Sequence, residues 1–274
     1  MLLRQGPSCL VASVCNSLIE LMQEPTVLSQ FCQLDGLRLL ALHASKGHHT
    51  TRIAAIRALH SCVRRNQETG RLLKPLIGFL HDLVNLCRSN AKDQDAEHAT
   101  CCVIAEVAKN PRCLAVLTDL GVLGLIEQLI PRAETDQMKA ALASAISSCA
   151  VYGSNTEVLG RPKNIQYLLG YLKTTNRETL AETIRAFCVL SRSPKVARHI
   201  YEAGISKVLL KMIGSADVEL QAAVAMAIRN INKLNQMDDH FLDKLASQQV
   251  FKGTPGNSEE ALLITKAAAS IKAI

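Results

Sequence analysis

Tryptophan is absent from these 274 residues, and aromatics reach only 3% although hydrophobic residues make up 48%. Compact enzyme cores lean on large aromatic side chains. A core of Leu, Ile, Val, Ala and Cys instead suits many similar helices stacked closely. Eight prolines and fourteen glycines are too few for a disordered chain, and no low-complexity tract interrupts it. The signatures G-x-S-x-G, G-x-x-x-x-G-K-[ST], H-E-x-x-H and G-x-G-x-x-G do not occur. Their absence removes the common hydrolase, phosphate-binding, zinc-protease and dinucleotide motifs. No apolar run approaches a membrane span, and Met1-Leu2-Leu3-Arg4-Gln5-Gly6-Pro7 lacks the charged-then-apolar order of a secretory signal. None of the ten cysteines forms a C-x-x-C pair, so reduced thiols in a cytoplasmic protein are expected.

The formal charge of +7 is a mild basic excess that biases contacts toward acidic partners. Arg64-Arg65 is the only adjacent basic pair. With few basic clusters and few aromatics to stack on, the composition speaks against nucleic acid. Neither a membrane nor a small-molecule substrate is expected among the chain's partners.

What the chain does have is a repeat. A small-then-apolar step, a spacer, a variable residue and a further apolar residue recur along it. The pattern reads Ser17-Leu18-Ile19-Glu20-Leu21, Ala58-Leu59-His60-Ser61-Cys62, Val103-Ile104-Ala105-Glu106-Val107, Ala145-Ile146-Ser147-Ser148-Cys149, Ala186-Phe187-Cys188-Val189-Leu190 and Ala227-Ile228-Arg229-Asn230-Ile231. Counted from Glu20, the intervals are 41, 45, 42, 41 and 41 residues. Pro25, Asn66, Pro111, Asn155, Pro194 and Asn235 follow the variable residue and predict helix ends there. Gly36, Gly121 and Gly204 mark sharp turns before an apolar helix, two repeats apart each time. Caps are expected ahead of each long helix, at Thr50-Thr51, Asp93 and Asp95, Thr135-Asp136, Thr175-Asn176, Ser215 and Asp217.

Each unit therefore reads as a short helix, a turn, a second helix, a loop and a long third helix. A period near 42 with three helices resembles the armadillo repeat, and the glycine turn separates it from the two-helix HEAT unit. That resemblance implies an all-α, right-handed superhelical solenoid of about six repeats, the first and last incomplete. A single solenoid is expected over 1–274, with repeat ends near 25, 66, 111, 155, 194 and 235. Residues 236–274 are expected to form capping helices with a linker over 252–257. Residues 9–21 hold nine apolar positions, predicting an N-terminal face that packs on a partner or a second copy.

Cysteine alternates with aliphatic residues after the variable position (Leu21, Cys62, Val107, Cys149, Leu190, Ile231), so Cys62 and Cys149 read as small core hydrophobes. His98 and Cys102 share a helix face, but two ligands do not make a zinc site. No metal, cofactor or catalytic residue is expected. His48-His49 reads as a solvated pair in a loop.

In armadillo proteins the third helices line a groove. The resemblance carries that role onto Glu20, Ser61, Glu106, Ser148 and Asn230, and, one turn earlier, onto Asn16, Arg57, Cys102, Ser144, Arg185 and Met226. Armadillo proteins that bind nuclear-import signals pair Asn at the variable position with Trp one turn before. Here only Asn230 fits and tryptophan is absent, which disfavours import signals. Arg57 and Arg185 resemble the basic groove residues of the catenin branch, implying acidic or extended peptides as ligands.

A narrower likeness covers the C-terminal half. Val151-Tyr152-Gly153-Ser154-Asn155, Tyr171-Leu172-Lys173, His199-Ile200-Tyr201-Glu202-Ala203-Gly204, Val208-Leu209-Leu210-Lys211-Met212-Ile213-Gly214-Ser215, Asp217-Val218-Glu219-Leu220-Gln221-Ala222-Ala223 and Ile228-Arg229-Asn230-Ile231 carry it. The segment resembles the armadillo subunits of the complex that docks outer dynein arms on ciliary doublet microtubules. The resemblance implies a non-catalytic axonemal scaffold. Its partners would be docking-complex coiled coils, the dynein heavy-chain tail and tubulin.

Overall fold

The structure is a computed structural model that describes residues 3, 6–65, 79–85, 93–205, 208–209, 212 and 218–235. The expected capping helices over 236–274, the linker over 252–257, Asn66 and the caps Ser215 and Asp217 lie outside the described residues. Among those described there is no strand, and no single helix is long and apolar enough to cross a membrane. The fold divides into two units, Met1–Asn155 and Thr156–Ile274.

The first unit contains α1 (Ser8–Leu21), α2 (Pro25–Gln33), α3 (Gly36–Lys46), α4 (His49–Arg65), α5 (Gln94–Val107), α6 (Pro111–Asp119), α7 (Val122–Leu129), a 3-10 turn (Ile130–Arg132) and α8 (Asp136–Cys149). Its long third helices stack in sequence, α1 on α4, α4 on α5 and α5 on α8. Helices α3 and α7 cover α4 and α8. The contact layer is aliphatic: Ile56, Leu59, Cys62, Ile104, Val107, Leu125, Ile126, Ile146 and Cys149 are all fully buried. The small residues of the motif, Ala58 and Ala145, are buried too, which lets neighbouring helices approach closely.

Helix α9 (Asn155–Leu159) begins on the last residue of the first unit, and the second unit goes on with α10 (Pro162–Tyr171), α11 (Arg177–Leu190), α12 (Pro194–Glu202) and α13 (Val218–Asn235). Third helices α11 and α13 pack together, and α12 touches both. Ile184, Phe187, Leu190, Ile200, Val224 and Ala227 close this core.

Local chemistry explains the helix ends. Pro25, Pro111 and Pro194 open α2, α6 and α12 at the first helical position, where the missing N–H costs nothing. The preceding third helices have already closed at Leu21, Val107 and Leu190. Asp93, Thr135 and Asn176 accept from the backbone N–H of Ala96, Met138 and Thr179 at 3.1, 3.2 and 2.9 Å. Each such cap stabilises its helix by about 1 kcal/mol. Thr51 does otherwise: its hydroxyl donates to the Ser8 carbonyl at 2.9 Å and ties α4 to α1.

The turn markers split. Gly121 and Gly204 adopt φ of 76° and 81°, a left-handed conformation that a Cβ disfavours. At the first marker the left-handed residue is Asp35, with φ 64°. Gly36 beside it is needed for space instead, because a Cβ there would come within 2.5 Å of the Phe31 ring.

One core expectation is corrected. Leu21 is 56% exposed, and Met22 beside it is fully buried. Helix α1 packs on α4, and its covered stripe is Val11, Cys15 and Met22. Those steps of four and seven residues keep to one helix face and turn Leu21 outward.

Candidate functional site: the third-helix face

The packing of α1, α4, α5 and α8 places eight of the groove residues on one layer of the first unit. Asn16, Glu20 and Arg57 are exposed; Ser61, Cys102, Glu106, Ser144 and Ser148 are half-buried. In the second unit, Arg185 on α11 and Met226 on α13 are exposed, and Asn230 is half-buried.

These side chains are largely engaged within the chain. Arg57 Nη2 lies 3.6 Å from Asp95 Oδ1 on the next third helix. Arg185 pairs with Glu182 one turn before it. Lys109 Nζ donates to both oxygens of Glu106 at 2.8 Å, and Gln23 Nε2 donates to Glu20 at 2.6 Å. Cys102 Sγ sits 3.6 Å from His98 Nε2. Exposed ion pairs of this kind contribute about 0–1 kcal/mol each, so an incoming partner exchanges them at little cost. In each unit the third-helix surface carries charges of both signs. It is no uniformly basic track.

Asn230 is used internally. Its Nδ2 donates to the Cys188 carbonyl at 3.1 Å and to Ser191 Oγ at 3.2 Å. Ser191 Oγ itself donates to the same carbonyl at 2.9 Å. The amide thus satisfies the open C-terminal end of α11, clasping one repeat to the next.

Several polar links between repeats carry no sequence motif. His49 Nε2 lies 2.7 Å from Asp93 Oδ2, so this exposed histidine, at the first position of α4, meets the residue that caps α5. Arg132 pairs with Glu97, whose side chain is only 2% exposed. Asn155, read from sequence as a turn-former, is buried and donates to Thr118 Oγ1 and the Cys149 carbonyl, both at 3.1 Å. Their common signal is a polar residue near a helix end. Pairing distant ends needed coordinates.

No family model matches the chain. Armadillo repeat-containing protein gudu of Drosophila melanogaster is 32% identical over 225 residues, which is 81% of this chain and 33% of that protein. Outer dynein arm-docking complex subunit 2 of Bos taurus is 33% identical over 108 residues, 39% of this chain and 10% of that protein. The chain thus spans about a third of the length of the first relative and a tenth of the second. Among solved structures, an engineered protein aligns with a TM-score of 0.73 at 20% identity, covering 85% of this chain and 94% of its own. A designed armadillo repeat protein in complex with the peptide (KR)4 aligns with a TM-score of 0.66 at 18% identity, covering 81% and 91%. The chain is an armadillo-repeat solenoid.

In this armadillo solenoid the motif cysteines fill core positions. Burial pushes the thiols of Cys15 and Cys113 up to about 11 and that of Cys149 to about 12, and it raises Cys62 and Cys188 as well. They stay protonated at neutral pH, and a protonated thiol is neither nucleophile nor metal ligand. Among the described residues no three His, Cys, Asp or Glu side chains gather as a metal site. An open pocket of ≈ 400 Å³, lined by Asp35, Arg38, Leu42, Lys46, Phe79 and Asp82 among others, includes none of the groove residues.

His60, next to Ser61 on α4, has its pKa lowered by burial, against the opposing pull of Glu106 and together with Arg64, His98 and Lys109. The folded solenoid therefore holds the neutral ring, while the unfolded chain takes a proton near the ordinary value of about 6.5. Stability is complete above that value and falls as pH drops below it, because the unfolded state then binds more protons. Thermal melts at about pH 7.5 and 5.5 are expected to show this loss reduced in His60→Gln. An identical pH dependence in the variant would refute the assignment.

Proposed function

We propose that this armadillo solenoid is a non-catalytic scaffold of the axoneme that helps dock outer dynein arms on ciliary doublet microtubules. The supporting observation is its sequence similarity to an outer dynein arm-docking complex subunit, together with an accessible mixed-charge layer of third helices. The fold supports a role without catalysis, since armadillo repeats are interaction modules and the buried thiols are unreactive.

On this reading the binding residues are the eight third-helix residues of the first unit, Asn16 to Ser148, and, in the second unit, Arg185, Met226 and Asn230. The partners are docking-complex coiled coils, the dynein heavy-chain tail and tubulin. A helical partner with charges of both signs suits these residues, because Arg57 and Arg185 each already stand beside a carboxylate. A cytosolic, catenin-like adaptor binding acidic or extended peptides is the second reading, favoured by the exposure of Arg57 and Arg185.

Two measurements separate them. A tagged copy in ciliated cells is expected to remain on detergent-extracted axonemes; a diffuse, fully extractable signal would reject the axonemal role. Reversing Arg57 and Arg185 to Glu is expected to weaken an acidic peptide about tenfold if the adaptor reading holds. Unchanged peptide binding would reject the adaptor.

A further inference from the structure

A second surface stands apart from the third-helix face. Helices α10 and α12 pack on each other, burying Ile165, Leu168 and Tyr171 on one and Val196, Ala197 and Ile200 on the other. Their packing is close: a Cβ on Gly160, just before α10, would come within 2.3 Å of Val196 Cγ1. His199 Nδ1 lies 3.4 Å from the Gly160 carbonyl oxygen. The opposite sides of both helices are exposed. On α10 they carry Lys163 and Tyr167, four residues apart; on α12, Lys195 with Arg198, and Tyr201 three residues further on. Such spacings put each cation and its tyrosine on one helix face.

Composition and charge single this surface out. Residues 156–205 hold eight Lys and Arg against four Asp and Glu. Arg177 and Arg185, with Glu178 and Glu182, belong to the third helix α11, which leaves six cations against two acids. Tyr167 and Tyr201 are 38% and 36% exposed; with Tyr152 they are the exposed aromatics among the described residues. Arg and Tyr are the residue types that dominate protein interface energetics. The tyrosines offer apolar rings with hydroxyl donors at their tips, and the cations offer charge for carboxylates.

We propose that the exposed side of α10 and α12 is a docking surface for an acidic protein segment. Charge complementarity chooses the occupant. Glu157, 3.1 Å from Lys195, and Glu202 stand among the cations. A nucleic-acid strand, with a phosphate at every nucleotide, would run into both acids. A protein segment places its carboxylates separately and avoids them. The Lys195–Glu157 pair is exposed at both ends, 66% and 53%, so it yields to an incoming carboxylate.

The test uses the full chain with fluorescein-labelled polyglutamate and, separately, labelled single-stranded oligouridylate, read by anisotropy at low salt. Lys163→Glu combined with Arg198→Glu is expected to weaken polyglutamate binding about tenfold, while Arg112→Glu, at an exposed residue of α6 outside both surfaces, leaves it unchanged. Both sites are exposed, so far-UV circular dichroism melts of the variants should match the parent and exclude misfolding. Equal polyglutamate binding by parent and double variant would overturn the proposal. So would tighter binding of oligouridylate that the same reversal abolishes, since that marks a nucleic-acid surface.

Discussion

Replacing Arg132 with methionine is expected to destabilise the fold by about 2–3 kcal/mol at neutral pH. Arg132 closes the 3-10 turn after α7, and Glu97 lies in the first turn of α5, so their pair ties two successive repeats. The Glu97 side chain is 2% exposed, whereas Arg132 keeps 35% of its own in solvent. That solvent access holds the loss below the full range for an enclosed pair.

The pH dependence separates lost charge from lost packing. Burial already raises the pKa of Glu97 above the ordinary carboxylate value, with Arg132 pulling it back down. Without the guanidinium it rises further. A carboxyl that holds its proton more firmly when folded weakens the fold as pH climbs above the unfolded value of about 4.3. The deficit of Arg132→Met should therefore shrink toward about pH 5 in urea unfolding. Adding Glu97→Gln should recover much of it at neutral pH. A deficit equal at both pH values, and untouched by Glu97→Gln, would mean that the Arg132 stem matters and the ion pair does not.

Phe187→Ala is expected to cost about 3–5 kcal/mol. Phe187 lies on α11 and is the largest fully buried side chain among the described residues. Phe187→Leu should lose much less, about 1–1.5 kcal/mol, because most of the volume is kept. Stability in a solenoid is a sum over neighbouring repeats. Amide exchange should therefore quicken most in α10 to α13. Urea unfolding followed by far-UV circular dichroism reads the total, and a loss under 1 kcal/mol would show that Phe187 does not anchor its unit.

The repeat was legible because a single physical requirement recurs every forty-odd residues. The positions after the variable residue, Cys62, Val107, Cys149, Leu190 and Ile231, are all buried. Each faces the same kind of neighbour, so apolarity alone marks it. Leu21 obeys the sequence rule and breaks the structural one. The caps were half legible: Asp93, Thr135 and Asn176 act as such, but Thr51 spends its hydroxyl on the Ser8 carbonyl of another helix.

The third-helix column was legible as positions and not as chemistry. Asn230 looked like the one residue suited to clamp a peptide, and its amide instead closes the end of α11. Arg57 and Arg185 looked available to a partner, and each stands beside a carboxylate of its own chain. The α10–α12 surface escaped the repeat pattern because its Lys163–Tyr167 and Arg198–Tyr201 pairs lie on first and second helices, where the pattern is weakest.

By itself the sequence determined helix type, the period and the buried column, because burial in a stacked array demands the same residue class at the same register in every unit. Tertiary structure decided which polar side chains are spent inside the solenoid and which stay exposed. A hydrogen bond or ion pair depends on two atoms meeting within a few ångströms across some forty residues of chain, and linear spacing does not carry that distance.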